Sequence, residues 1–167
     1  MRVVLSPNEM RMACQHGVER YISALTRDAR GKLTSGQPEN RADVDLIGCM
    51  AEMALAKALN LYWSGVEEIN SPDVGQYEVR STRRLDGNLI IRDRDKPNQK
   101  AVLVTCDPPV FNVIGFILVS KGKQDNWIYD DGKGKCWIVP QAALERFDED
   151  KVKQVSSVDQ DTWLFDL

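Results

Sequence analysis

Pro72-Asp73-Val74-Gly75-Gln76-Tyr77-Glu78-Val79-Arg80 is the stretch on which the fold of this chain turns. Residues 77–81 have the composition of a short strand, and Asp73 stands just before it. Side chains on a strand alternate between faces, so Gln76, Glu78 and Arg80 point one way while Tyr77, Val79 and Ser81 point the other. Two carboxylates and one guanidinium are then placed to converge. That is a candidate site for a divalent cation and a phosphodiester.

Working outward toward higher numbers, strands are expected at 88–92, 101–106 and 111–119, with weaker ones at 127–129 and 136–139. Asp86-Gly87 is a hairpin signal, which predicts an antiparallel pair of 77–81 with 88–92. The run 111–119 is apolar apart from Asn112, as a central buried strand would be. Pro140 to Leu144 should open a short helix, and the acidic tail is expected to dock through Trp163, Leu164 and Phe165.

Toward lower numbers, residues 43–59 predict a helix whose only charges between Leu46 and Leu59 are Glu52 and Lys57. Such a helix belongs inside the protein, and a carboxylate flanked by Gly48, Ala51, Leu55 and Ala56 needs a partner or a metal. Lys57 lies about 140° around the helix and is not an obvious partner. Before it, Ser6-Pro7-Asn8-Glu9 reads as a capping box that starts a helix over 7–26. Its expected apolar stripe is Met10, Ala13, Cys14, Gly17, Val18, Tyr21, Ile22 and Leu25. Residues 27–42, rich in Arg, Gly, Ser, Pro and Asn, predict a loop.

The 167 residues suffice for one domain with a sizeable core. Its core is expected at about 43–119, with the helix at 7–26 and the tail as additions. Four cysteines, Cys14, Cys49, Cys106 and Cys136, form no C-x-x-C pair, and with a single histidine they argue against structural zinc. Reduced thiols, the lack of a signal-like segment and the lack of a long apolar run predict a cytoplasmic protein. The net charge of −3 argues against indiscriminate nucleic-acid affinity. Charge is uneven, however: residues 80–100 carry seven Lys/Arg against three acids, which leaves room for a phosphate-facing surface.

Cleaving a phosphodiester requires neutralisation at the phosphate, an activated water and a stabilised leaving oxygen, and one Mg²⁺ or Mn²⁺ ion can serve all three. Hard ions prefer oxygen ligands, so Asp73, Glu78 and the Val79 carbonyl are the expected donors. The order Pro-Asp, spacer, acid-any-basic resembles the PD-(D/E)xK nuclease superfamily. Gly48-Cys49-Met50-Ala51-Glu52-Met53-Ala54-Leu55-Ala56-Lys57 ahead of it is similar to small phage and bacterial members. The resemblance covers about 44–106. It implies an α+β, restriction-endonuclease-like core with a mixed central sheet after two helices, and metal-dependent hydrolysis of DNA, with RNA second. It also implies that Glu52 joins Asp73 and Glu78 at the metal. Arg80 stands where the superfamily has lysine; a guanidinium can clamp phosphate but is no practical base. Nor is a helix evident between 92 and 101, where the superfamily core has one.

Plainer alternatives stay open. Glu52 can be half of a structural ion pair with Arg80 or another cation, and Asp73 an ordinary turn residue. Arg83 and Arg84 lead the basic residues suited to phosphate contacts, although a solvated loop would look the same. His16 and Gln15 could approach the site, and Lys57, Lys96 or Lys100 could replace the missing lysine in space. The other readings are a noncatalytic module of the same fold that binds nucleic acid or protein, and a phage structural or assembly protein.

Overall fold

The computed structural model describes residues 1–30, 41–66, 71–130 and 134–148. The capping box forms as expected: the Ser6 amide donates to Glu9 Oε2 at 2.6 Å and the Glu9 amide to Ser6 Oγ at 3.3 Å. It opens α1 (Pro7–Arg30), which runs past the expected end at 26 into the stretch read as a loop. Helix α2 follows as Arg41–Leu59. Leu46 of α2 packs so close to Gly17 of α1 that a β-carbon there would stand 2.8 Å from the Leu46 Cα. Gly17→Ala gains about 1 kcal/mol of helix propensity but forces the backbones apart, which costs about 1–3 kcal/mol. A lower melting temperature is the expected result, and a higher one would show that the helices are free to separate.

The face that α1 buries matches the expected stripe in part: Ala13 and Gly17 are buried and Met10, Cys14 and Tyr21 half-buried, whereas Val18, Ile22 and Leu25 are exposed and Ala24, outside the stripe, is buried. Helix α2 is buried as predicted, from Cys49 through Ala56 without a break.

Among the described residues there are seven strands, six of them at the expected runs: β1 (Arg2–Val4), which was not expected, β2 (Tyr77–Thr82), β3 (Leu89–Arg92), β4 (Lys100–Asp107), β5 (Val110–Leu118), β6 (Ile128–Asp130) and β7 (Lys135–Val139). They make two sheets, ordered β1-β5-β4-β2 and β3-β7-β6. The first is mixed, because β2 runs parallel to β4 while the other pairs are antiparallel. Together with the helices this is an α+β architecture.

The hairpin expected at Asp86-Gly87 does not form. A turn is present, with the Gly87 amide donating to the Arg84 carbonyl at 3.0 Å, but it carries the chain out of one sheet and into the other. Leu89 and Ile91 bury one face of β3 against Trp137 and Val139, and β3 pairs with β7 rather than β2. Gln141 Nε2 secures the crossing by donating to the carbonyls of Leu85 and Gly87, both at 2.8 Å. Where a short helix was expected after Pro140, a single 3-10 turn, Gln141–Ala143, is found.

Three layers result. One apolar cluster joins α1 and α2 to Val102, Val104 and Cys106 of β4; the other joins Ala101 and Leu103 of the same strand to the second sheet. Strand β4 is therefore covered on both faces and buried from Ala101 to Cys106. Strand β5, expected to be central and buried, does lie between β1 and β4 but alternates buried with half-buried residues. All four cysteines are free thiols. Among the described residues no helix is long and apolar enough to cross a membrane. Trp163, Leu164 and Phe165 lie outside the described residues.

Candidate functional site

Asp73 is placed by a tight turn over the open edge of β2. Gly75 adopts φ +57°, which a glycine takes without strain. Around it the Val74 amide donates to the Tyr77 carbonyl at 3.1 Å, and the Tyr77 amide to the Val74 carbonyl at 2.9 Å. Buried Val74 anchors the turn, and Asp73 Oδ2 accepts the Val79 amide at 2.7 Å. Among the described residues Asp73 Oδ1 accepts no hydrogen bond.

Glu52 lies on the helix side of the same sheet, 4 % exposed. Its partner is a residue the sequence did not single out. Arg20 of α1 grips it with two hydrogen bonds, Nη1 to Oε1 at 2.5 Å and Nη2 to Oε2 at 2.7 Å. Trp63 Nε1 donates to Oε2 at 2.9 Å, and Arg20 Nη2 also donates to the Gly65 carbonyl at 3.3 Å. His16 does reach this end of the site: its ring meets Trp63 edge-on at 5.3 Å, and a β-carbon on Gly65 would fall within the imidazole. Burial disfavours the charge on Arg20, but the hydrogen bonds and charge of Glu52 outweigh it and push its pKa further up. Arg20 is thus a permanent cation.

Glu78 and Arg80 lie on the opposite face of the sheet. Tyr77 and Val79 pack into the cluster shared with the helices, so alternation turns Glu78 and Arg80 toward the side of their register partners Ala101 and Leu103. Glu78 Oε1 accepts from Gln99 Nε2 at 3.1 Å. Arg80 makes a long contact to Glu78 at 3.5 Å and a shorter one to Asp95 at 3.0 Å.

The three acids therefore form a row rather than a ring: Glu52 on one face, Glu78 on the other, and Asp73 at the edge between them. Asp73 senses both neighbours. Burial first, and then the charge of Glu52, push its carboxyl up to about 7; Glu78 adds to the rise, while the Val79 amide and Arg80 oppose it. Strongly perturbed carboxyls of this kind gather where a protein holds a proton or a cation for use.

The other expected residues fall as follows. Arg83 and Arg84 are exposed and paired, Arg83 with Asp43 at 2.7 Å and Arg84 with Asp86 at 3.2 Å. Lys57 is engaged elsewhere, by Glu9 at 2.8 Å and the Val4 carbonyl at 3.1 Å. Lys100 sits over the rings of Tyr77 and Phe116, on the face away from Glu78. Neither stands in for the missing lysine.

A hard divalent cation fits part of this donor set. Asp73, Glu78 and the Val79 carbonyl are oxygen donors, and Mg²⁺ commonly takes only one or two carboxylates and keeps its waters. Glu52 has both oxygens occupied by Arg20 and Trp63, so it acts on such an ion through its field. Among the described residues no group of three or more His, Cys, Asp or Glu side chains is arranged to hold a metal. No family model, curated protein or solved structure matches the chain.

Proposed function

We propose that the protein hydrolyses nucleic-acid phosphodiesters with the help of Mg²⁺ or Mn²⁺, with DNA as the favoured substrate. The observation that carries this is Asp73: a half-buried carboxyl with one oxygen unpaired among the described residues, standing between two other carboxylates. Its proton affinity is what an acid shows when a neutralising ion is wanted. The ion, when bound, supplies charge neutralisation and a more acidic water.

The remaining work falls to the chain's own residues. Asp73 and Glu78, with the Val79 carbonyl, hold the ion, and Glu52 and Arg20 set the field on Asp73. Arg80 orients a phosphate oxygen through its guanidinium. Arg83 and Arg84 hold the polymer; their pairs with Asp43 and Asp86 are solvent-exposed, and such pairs yield readily to a phosphate.

A second reading is favoured by a separate observation. Arg20 on Glu52, and Arg80 between Glu78 and Asp95, are built-in counter-charges, as a noncatalytic nucleic-acid- or protein-binding module would have. Cleavage assays on supercoiled, linear and single-stranded DNA and on RNA, with Mn²⁺, separate the two. Asp73→Ala and Glu78→Ala should each lose activity by a factor on the order of 100. Equal activity in wild type and both variants ends the catalytic reading, and calorimetry without Mn²⁺ uptake favours the binding module.

A further inference from the structure

The turn between β3 and β4 is held on three sides. Lys123 Nζ donates to the carbonyls of Asp93 and Asp95 at 2.7 and 3.0 Å. The Ser120 amide donates to the Pro97 carbonyl at 3.0 Å, and the Val119 amide to the Gln99 carbonyl at 2.9 Å. Internally, Asp95 Oδ2 accepts the Arg92 amide at 2.8 Å and Gln99 Oε1 accepts the Lys96 amide at 3.1 Å. Each of these two side chains has its other polar atom turned outward from the turn. Asp95 Oδ1 takes Arg80, and Gln99 Nε2 takes Glu78. The Asp95 side chain is only 8 % exposed, so its charge acts on Arg80 with little screening.

We propose that Asp95 and Gln99 are positioning residues that keep Arg80 off Glu78 and so leave Glu78 available to a divalent cation. Arg80 is shared unequally, 3.0 Å from Asp95 and 3.5 Å from Glu78. Without the Asp95 charge, Glu78 is the carboxylate left to the guanidinium among the described residues. It closes on Glu78, neutralises it and competes with the ion. Gln99 holds Glu78 by Oε1, which leaves Oε2, the oxygen Arg80 only distantly contacts, as the one offered to the ion.

The inference rests on the cation reading above, and the test keeps the two apart. Asp95→Asn retains an oxygen for the Arg92 amide, so the turn survives. Asp93→Asn removes the same charge from the same turn but leaves the backbone carbonyl that Lys123 uses, and serves as control. Titration calorimetry with Mn²⁺ is expected to show binding weakened about tenfold or more in Asp95→Asn and within about twofold of wild type in Asp93→Asn. Equal weakening in both variants overturns the proposal. If wild type takes up no Mn²⁺, the cation reading fails instead, and the clamp is judged by the Arg80 side-chain resonances. Separate, slowly exchanging Nη signals in wild type that merge or move in Asp95→Asn support it; signals unchanged by that substitution overturn it.

Discussion

Arg20→Leu is expected to unfold in urea with about 3–5 kcal/mol less stability than wild type, the largest loss of any single substitution considered for this fold. The reason is the carboxylate left behind. Glu52 is nearly inaccessible to water, and two of its three hydrogen bonds come from Arg20. Among the described residues, an unpaired charge buried beside Ala51, Leu55 and Ala56 has no second cation bonded to it. Arg20→Leu combined with Glu52→Gln tests the cause, because the amide oxygen still accepts Trp63 Nε1 and the buried charge is gone. The double variant should recover more than half of the loss. If the single variant costs less than about 1 kcal/mol, the pair behaves as a surface bridge and the site is wetter than its packing indicates.

Asp73→Asn should do the opposite above neutral pH. The folded pKa of about 7 exceeds the ordinary 3.8. Between those values the native protein keeps a proton that the unfolded chain has released. Stability through this residue is therefore highest below about pH 4, falls as pH rises toward 7, and stays at its lower level above. Asparagine removes the titration and retains an oxygen for the Val79 amide. Urea midpoints in a chelator should show the variant more stable by an amount on the order of 1–3 kcal/mol at pH 8, with the gain gone near pH 4. A variant less stable than wild type at pH 8 reverses the sign and removes the case for a crowded acidic row. Under the proposed function, Mn²⁺ at pH 8 stabilises wild type and leaves Asp73→Asn unchanged.

Local chemistry made much of this legible beforehand. Ser6 and Glu9 announced the start of α1, the nearly uncharged run of α2 announced its burial, and short apolar runs between turn signals found six of the seven strands described. Asp73, Glu78 and Arg80 were visible because they fall within nine residues of one another. What stayed hidden was non-local. Arg20 escaped because the larger side chains Val18, Ile22 and Leu25 were assigned to the core, whereas α1 buries its small ones. Ala13, Gly17 and Ala24 fall on one helical face, and Arg20 lies on that row. A small-residue row carrying one arginine, beside a helix with one buried glutamate, is the signal that could have found the pair. The mispaired hairpin has a similar origin. Asp86-Gly87 specifies a turn, but which sheet β3 joins is decided by the fit of Leu89 and Ile91 against Trp137 and Val139. Asp95 and Gln99 were likewise invisible, since their effect on Arg80 and Glu78 needs β4 to lie beside β2.

The turn at Gly75 has one more consequence. Among the described residues strand β2 is the last in its sheet, and an outermost strand offers unpaired amides to any extended segment that drifts by. In this protein the amides of Tyr77 and Val79 are already taken, by the Val74 carbonyl and the Asp73 carboxylate. The acid proposed to take a cation also stands guard against strand-by-strand stacking of neighbouring molecules, and replacing it with alanine would open that flank to aggregation in concentrated solution.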